Sequence, residues 1–230
     1  EAGITVDVLH RMVAPCFLGR PVEGFQNYGS HVVMKLNKYT GTFVCRALSG
    51  IDTALWDLAA KVQGKSVATM LQAPSRRVPI YASNMLRETT PEQEIDLLKP
   101  WRDEAGVTAF KIKLGPMGAF GSDADTLPGR TEALIPYVRA HLGNTVRLIA
   151  DANSCFCTAT AIRIGHLLED HGYDFFEEPV SWWDLEATAE VNAALSISVC
   201  GGEQDFQIPQ WRRMIALNAV DVVQPDVCYV

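Results

Sequence analysis

The sequence predicts an α/β protein built on a parallel sheet, and three observations carry the prediction. From Val78 onward, short apolar runs alternate with amphipathic ones in strict βα order. The short runs are nearly continuous in apolar residues, as strands covered on both faces must be. Acidic residues recur at the ends of those runs, one βα unit apart.

Residues 1–75 read as helical. Within 44–62, Ala47, Ile51, Ala54, Leu55, Leu58 and Val62 fall at helical spacing, with Gly50 in mid-helix, where it costs stability unless something packs closely. Leu71 ends this region and Pro74 breaks the chain. The strands that follow are VPIYAS (78–83), AFKIKL (109–114), VRLIAD (146–151), YDFFEE (173–178), ISVCGGE (197–203) and AVDVVQPD (219–226). Between them, helices are expected over 91–105, opened by Pro91, then near 129–142, 158–171, 184–194 and 207–217. A Gly- and Asp-rich loop, 115–128, separates the second strand from its helix. An open doubly wound sheet and a (β/α)₈ barrel both satisfy this order, and periodicity does not separate them. No GxGxxG follows the first strand and no GxxxxGK[ST] occurs, so a dinucleotide or P-loop site has no support.

Composition excludes several classes. The 230 residues are 48% hydrophobic and 20% charged, enough for one sizeable core or two small ones and unlike a disordered chain. No run of about 18 apolar residues exists, so no membrane span is expected. The formal net charge of −7 argues against nucleic acid as a main partner. Residues 1–15 lack a basic head followed by an apolar run, the pattern of a secretory signal. The six cysteines include no CxxC, and Cys155-x-Cys157 has the wrong spacing for a common zinc site. Cys200 and Cys228 read as small buried hydrophobes within strand-like runs. Reduced thiols suit a cytoplasmic enzyme.

The strand ends carry the chemistry. Asp151, Glu177 and Glu203 follow one another at equal intervals of 26 residues, and Asp226 comes 23 later. The intervals place four acids on the same rung of four consecutive units, which in a barrel is the C-terminal mouth. Crowded carboxylates repel unless a cation neutralises them, and oxygen donors with open positions suit Mg²⁺. A single acid there would read as a helix N-cap or a solvated loop residue. Lys111 and Lys113 flank Ile112 and so share one strand face. Their repulsion and partial burial are expected to lower at least one pKa, giving a general base; lysines guarding an edge strand are the alternative. A base beside a divalent metal suits removal of the proton next to a substrate carboxylate.

With FKIKLG (110–115), DANS (151–154), FFEEP (175–179), GGEQ (201–204) and QPD (224–226) in order, the chain resembles the enolase superfamily, in its mandelate racemase-like subgroup. The stretch ALSGIDTALWDLAAKVQGKSVATML (47–71) is similar to the family's linker from capping domain to barrel. The resemblance implies a (β/α)-barrel of the TIM type, incomplete with six strands, over residues 76–230. Residues 1–75 would be the helical part of a capping domain. It implies Asp151, Glu177 and Glu203 as Mg²⁺ ligands, Lys113 as acid/base with Lys111 tuning it, and Asp226 as the carboxylate of an Asp–His dyad. Asn153, Glu178, Gln204 and Asn84 are expected to contact substrate or support the ligands. Asp226, where a muconate-lactonizing relative would carry Lys, favours the racemase-like branch, and Glu203 points the same way.

The pattern is also incomplete. The dyad histidine belongs about one unit beyond Asp226, whereas His10, His31, His141, His166 and His171 all precede it. The chain therefore reads as part of a longer protein, lacking two barrel units, a closing loop and that histidine. The resemblance implies an acid-sugar dehydratase: abstraction of the α-proton, loss of the β-hydroxyl, and a 2-keto-3-deoxy acid as product. A racemase or epimerase of a 2-hydroxy or sugar acid is the alternative, and a non-catalytic truncated polypeptide is the reading from another class. The loop 115–130 either shapes the substrate pocket or is a surface insertion. The expected partners are a small-molecule carboxylate and further copies of the chain.

Overall fold

The computed structural model describes residues 2–74 and 77–228. The expected boundary between residues 75 and 76 lies outside the described residues. The chain divides into two compact units, one of residues 1–78, 204–208 and 225–230, the other of 79–203 and 209–224.

The first unit is helical. It holds α1 (Ala2–Val8), α2 (Tyr28–Lys35), α3 (Thr42–Val62) and α4 (Val67–Met70), with π and 3₁₀ turns between α1 and α2. Val13, Cys16, Val32, Val44, Ala47 and Leu48 form its apolar cluster. The face of α3 departs from expectation. Val44, Cys45, Ala47, Leu48, Ala59 and Ala60 are buried, while Leu58 and Val62 are 45% and 78% exposed. The apolar cluster touches the helix only at its start, through Val44, Ala47, Leu48 and Ile51, whereas near its end the buried face is that of Ala59 and Ala60 and not that of Leu58 and Val62. Among the described residues, nothing beyond the helix's own backbone packs within 4 Å of where a Cβ would stand on Gly50.

The second unit is a six-stranded parallel sheet in the order β1-β2-β3-β4-β5-β6. The strands are β1 (Ala82–Ser83), β2 (Ala109–Lys113), β3 (Arg147–Asp151), β4 (Phe175–Glu177), β5 (Ser198–Gly201) and β6 (Val222–Val223). The helices between them are α5 (Pro91–Asp103), α6 (Arg130–Leu142), α7 (Thr158–Asp170), α8 (Leu185–Ala194) and α9 (Ile208–Ala216). Sequential order without a reversal is the order of a barrel wall, not of a doubly wound sheet. Phe110, Ile112, Leu148, Ala150, Phe176 and Val199 point to one side and pack with Leu98, Leu134, Ile135, Val138, Ile164 and Leu168 of the helices. Strand alternation sends Lys111, Lys113, Asp151 and Glu177 to the other side.

Local chemistry explains the boundaries. Helix α5 starts at a capping box, with Thr90 and Gln93 each accepting from the other's backbone N–H, and Pro91 just inside. Helix α8 starts where the Asp184 side chain accepts from Ala187 N. The outer strands are shorter than the apolar runs predict. Ala82 pairs with Phe110, so residues 78–81 have at most the first residue of β2 beside them and run on unpaired. At the far side only Val222 and Val223 pair, with Cys200 and Gly201. Cys228 is exposed and lies outside any strand, contrary to expectation, whereas Cys200 is buried in β5. Among the described residues, no helix is long and apolar enough to cross a membrane.

Candidate active site

Parallel pairing aligns one rung across the C-terminal ends of the strands: Lys113, Asp151, Glu177, Cys200. Two predicted acids therefore stand side by side. Glu203 lies two residues past β5 and Asp226 three past β6, so the equal spacing does not place four acids on one rung. The reason is register: Glu177 pairs with Cys200, and the chain turns at Gly202, whose φ is +110°, before Glu203.

The rung is buried and charged. Asp151 and Glu177 are fully buried, and Lys111 and Lys113 are 6% and 4% exposed. Lys111 Nζ donates to Glu177 Oε1 at 2.7 Å and stands 3.5 Å from Asp151 Oδ2. Lys113 Nζ donates to Asp151 Oδ2 and lies 3.4 Å from Asn153 Oδ1. Asn153 N donates to Asp151 Oδ1 at 2.9 Å, and Gln224 Nε2 donates to Glu177 Oε2 at 3.1 Å. β2 has a neighbour on each side, so the lysines are not edge guards.

The electrostatics do not make Lys111 the lysine with the lowered pKa. Burial presses the Lys111 ammonium toward a lower pKa, but Asp151 and Glu177 outweigh it and hold it above the ordinary lysine range. Two carboxylates within reach leave Lys111 firmly charged. Glu177 is raised, first by burial and then by the charge of Asp151, against the pull of Lys111. Glu178 is pushed up to about 8 by burial, then by Glu203 and Asp151. Its Oε1 is buried and has no hydrogen-bond partner among the described residues.

The backbone is strained at the same edge. Asn153, Ser154 and Glu178 adopt φ of +41°, +67° and +42°. Left-handed conformations in non-glycine residues cost roughly 1–3 kcal/mol each and gather at functional sites. They bring the ends of β3 and β4 together, with Ser154 N donating to Glu178 O at 2.7 Å. Gly115, just past β2, has φ +63°, and a Cβ there would stand 2.6 Å from Cys155 Sγ.

The other predicted residues are less concentrated. Asn84 serves the loop after β1: its Nδ2 donates to Glu94 Oε2 at 2.9 Å and its Oδ1 accepts from Leu86 N. Gln204 and Asp226 fall in the first unit; Asp226 Oδ1 accepts from Cys228 N at 2.8 Å. His141 and His166 lie on helices, stacked on Tyr137 and paired with Glu169, and His171 ends α7.

Three neighbours of the site were not anticipated. One is Gln224. The others are arginines. Arg87 donates from Nη1 to Gly115 O at 3.3 Å and from Nη2 to Asn153 Oδ1. Arg130 donates from Nη1 to Lys113 O at 2.9 Å, from Nε to Thr89 O at 2.5 Å and from Nη2 to Thr89 Oγ1 at 3.0 Å. It also stands 3.9 Å from Glu94 Oε2, which accepts from Thr89 Oγ1 at 2.6 Å. A search of the loop after each strand for cations as well as acids would have found Arg87.

Among the described residues, no three His, Cys, Asp or Glu side chains stand close enough together to enclose a metal ion as they lie. Lys111 and Lys113 engage Asp151 and Glu177 instead. The donor set nevertheless fits a hard divalent cation. It is all oxygen, and like-charge repulsion already weighs on Glu177 and Glu178.

Residues 3–71 match the family described as mandelate racemase / muconate lactonizing enzyme, N-terminal domain, and residues 93–230 match enolase C-terminal domain-like. The chain is 36% identical over 186 residues to D-galactarolactone cycloisomerase of Agrobacterium fabrum, covering 79% of this chain and 46% of that protein. It is 32% identical over 183 residues to L-talarate/galactarate dehydratase of Salmonella typhimurium, covering 79% and 43%. A solved structure of a provisionally named racemase from Roseobacter denitrificans superposes with TM-score 0.94 at 46% identity, over 99% of this chain and 62% of that one. A mandelate racemase/muconate lactonizing protein from Paracoccus denitrificans, solved with magnesium, gives TM-score 0.90 at 28% identity, over 99% and 61%. The chain thus spans less than half the length of these two curated relatives.

Proposed function

The chain belongs to the mandelate racemase / muconate lactonizing enzyme family of the enolase superfamily, and on that premise we propose that the intact protein is a Mg²⁺-dependent sugar-acid dehydratase. The observation that carries the proposal is the buried Lys113–Asp151–Glu177 rung with Lys111 beside it. The likeness to a galactarate dehydratase supports the substrate class.

Asp151, Glu177 and Glu203 are proposed to hold the metal. A bound divalent cation supplies stabilisation for the negative charge that builds on a substrate carboxylate when the α-proton leaves, as is known for enolase-superfamily sites. Lys113 Nζ, as the uncharged amine, takes that proton and becomes the ammonium. Lys111, held charged by Glu177 and Asp151, fixes the field around Lys113 and donates toward the reacting end of the substrate. Asn153 lines the site and orients Lys113 through Oδ1. Glu178 and Gln204 are proposed to support the ligands. Asp226 is proposed to orient the histidine expected on the following βα unit, which would protonate the departing β-hydroxyl to water. The proposal includes a capping domain of residues 1–75, a partial barrel of residues 76–230, a homo-oligomeric assembly, and a cytoplasmic setting in keeping with six free cysteines.

A racemase or epimerase is the second reading, favoured by the likeness to the Roseobacter structure. Incubation of the intact protein with Mg²⁺ and a panel of sugar acids separates the two. Dehydration yields 2-keto acids. Deuterium uptake at the α-carbon in D₂O with no keto product would leave epimerisation.

A further inference from the structure

Two arginines lie at the C-terminal ends of the first strands, and they differ in how their charge is met. Arg130, 3% exposed, has Glu94 at 3.9 Å and lies in the field of Asp125. Arg87, 9% exposed, pairs with no carboxylate among the described residues. Its partners are two uncharged oxygens, Gly115 O and Asn153 Oδ1, and its Nε is buried without a partner. Buried cations are nearly always neutralised, because an unpaired charge out of water is expensive. The described residues around Arg87 do not supply the anion it lacks.

Its position says where that anion comes from. Asn153 Oδ1 accepts from both Arg87 and Lys113, so the guanidinium stands one amide away from the proposed base. A cavity of about 750 Å³ adjoins Arg87, bounded by Met85, Leu86, Thr89 and Met117. Glu88 and Asp96 also line it; carboxylates accept from hydroxyls and repel anions, which leaves Arg87 as its cation.

We propose that Arg87 binds a second carboxylate of the substrate, so that the site takes sugar diacids in preference to monoacids. The proposal rests on the sugar-acid reading above. The first carboxylate would lie at the Asp151–Glu177 end with the metal, and the polyol chain would span to Arg87. A guanidinium offers a carboxylate two parallel N–H donors, a geometry that a terminal hydroxyl cannot match.

The test uses the intact protein with galactarate, which has two carboxylates, and galactonate, of equal carbon number with one. Calorimetric binding is measured apart from turnover, and kcat/KM is then measured with Mg²⁺. The wild type is expected to bind galactarate more tightly. Arg87→Gln is expected to weaken galactarate binding about 10- to 100-fold, and by at least about tenfold more than galactonate binding. Arg87→Lys should restore part of the loss. Equal losses for the two acids, or none for galactarate, overturn the proposal. Circular dichroism checks folding; if Arg87→Gln does not fold, the wild-type preference and Arg87→Lys decide, and a wild-type ratio near one overturns the proposal. Arg87-dependent diacid binding without dehydration of any acid in the panel would defeat the dehydratase reading and leave this one standing.

Discussion

The two ends of the sheet use acidic residues in opposite ways. At the N-terminal ends of the strands, carboxylates accept from backbone N–H groups across neighbouring units. Asp174 accepts from Leu148 N at 2.9 Å, Asp221 from Val199 N at 2.9 Å, and Glu169 from Ile197 N at 2.9 Å. Asp174 retains 28% side-chain exposure and Asp221 is exposed, so water still reaches these groups. At the C-terminal ends, Asp151 and Glu177 are fully buried and met by lysines. One end fastens strands together; the other concentrates charge. In barrels that division separates stability from chemistry. Partner and burial distinguish the two roles, whereas residue type does not.

Four variants break or sharpen this contrast. The largest effect is expected at Lys113. Lys113→Ala should slow α-proton exchange by about 10²- to 10⁴-fold, read as deuterium uptake from D₂O; retained exchange with every epimer would remove Lys113 as base. Next is Asp151→Ala, which strips Lys111 and Lys113 of a shared carboxylate and should cost about 3–5 kcal/mol in urea denaturation. A loss below about 1 kcal/mol would show that the rung does not depend on its ion pairs. Asp174→Ala, at the opposite end, should cost about 1 kcal/mol through Leu148 N and leave turnover unchanged. A large fall in kcat without unfolding would contradict the separation of the ends.

The smallest effect is a pH dependence. Burial tends to raise the Glu169 carboxyl, but His166 and the N–H groups of Ile197 and Ser196 overcome it and hold it below the usual value of 4.5. A folded pKa below the unfolded one gives stability that is full above the unfolded value and fades as pH falls through the folded one. Glu169→Gln should therefore lose about 1 kcal/mol at pH 7, and the gap to wild type should narrow as pH falls below the usual value of 4.5. A gap that stays constant as the solution is acidified would mean that packing, not charge, explains the loss.

Much of the sheet was legible. The runs around 110, 149 and 176 are apolar on one face because helices cover them, and alternation alone placed Lys111 and Lys113 opposite Ile112. The adjacency of Asp151 and Glu177 followed from spacing because β3 and β4 pair without offset at that rung. Glu203 and Asp226 broke the pattern because strand length is set by pairing and not by composition. The apolar runs at 78–83 and 219–226 extend further than their neighbours' ladders. Arg87, Arg130 and Glu94 were illegible for another reason: their contacts reach across up to 66 residues, and many end on loop residues that no periodicity marks. Glu94 in particular reads as a surface acid in the first turn of a helix, yet it is fully buried.

That Glu94–Arg130 contact has a dynamic consequence. Residues 84–90 form neither helix nor strand, and such segments ordinarily open freely to solvent. Here Asn84 and Thr89 are tied to Glu94, and Thr89 is tied twice to Arg130, which also grips the last residue of β2. Opening the segment would expose two buried ions together, so it should open only when β2 itself lets go. Its protected amides should then exchange with deuterium in step with those of Phe110 and Ile112, as part of one cooperative unit and not as a fraying loop.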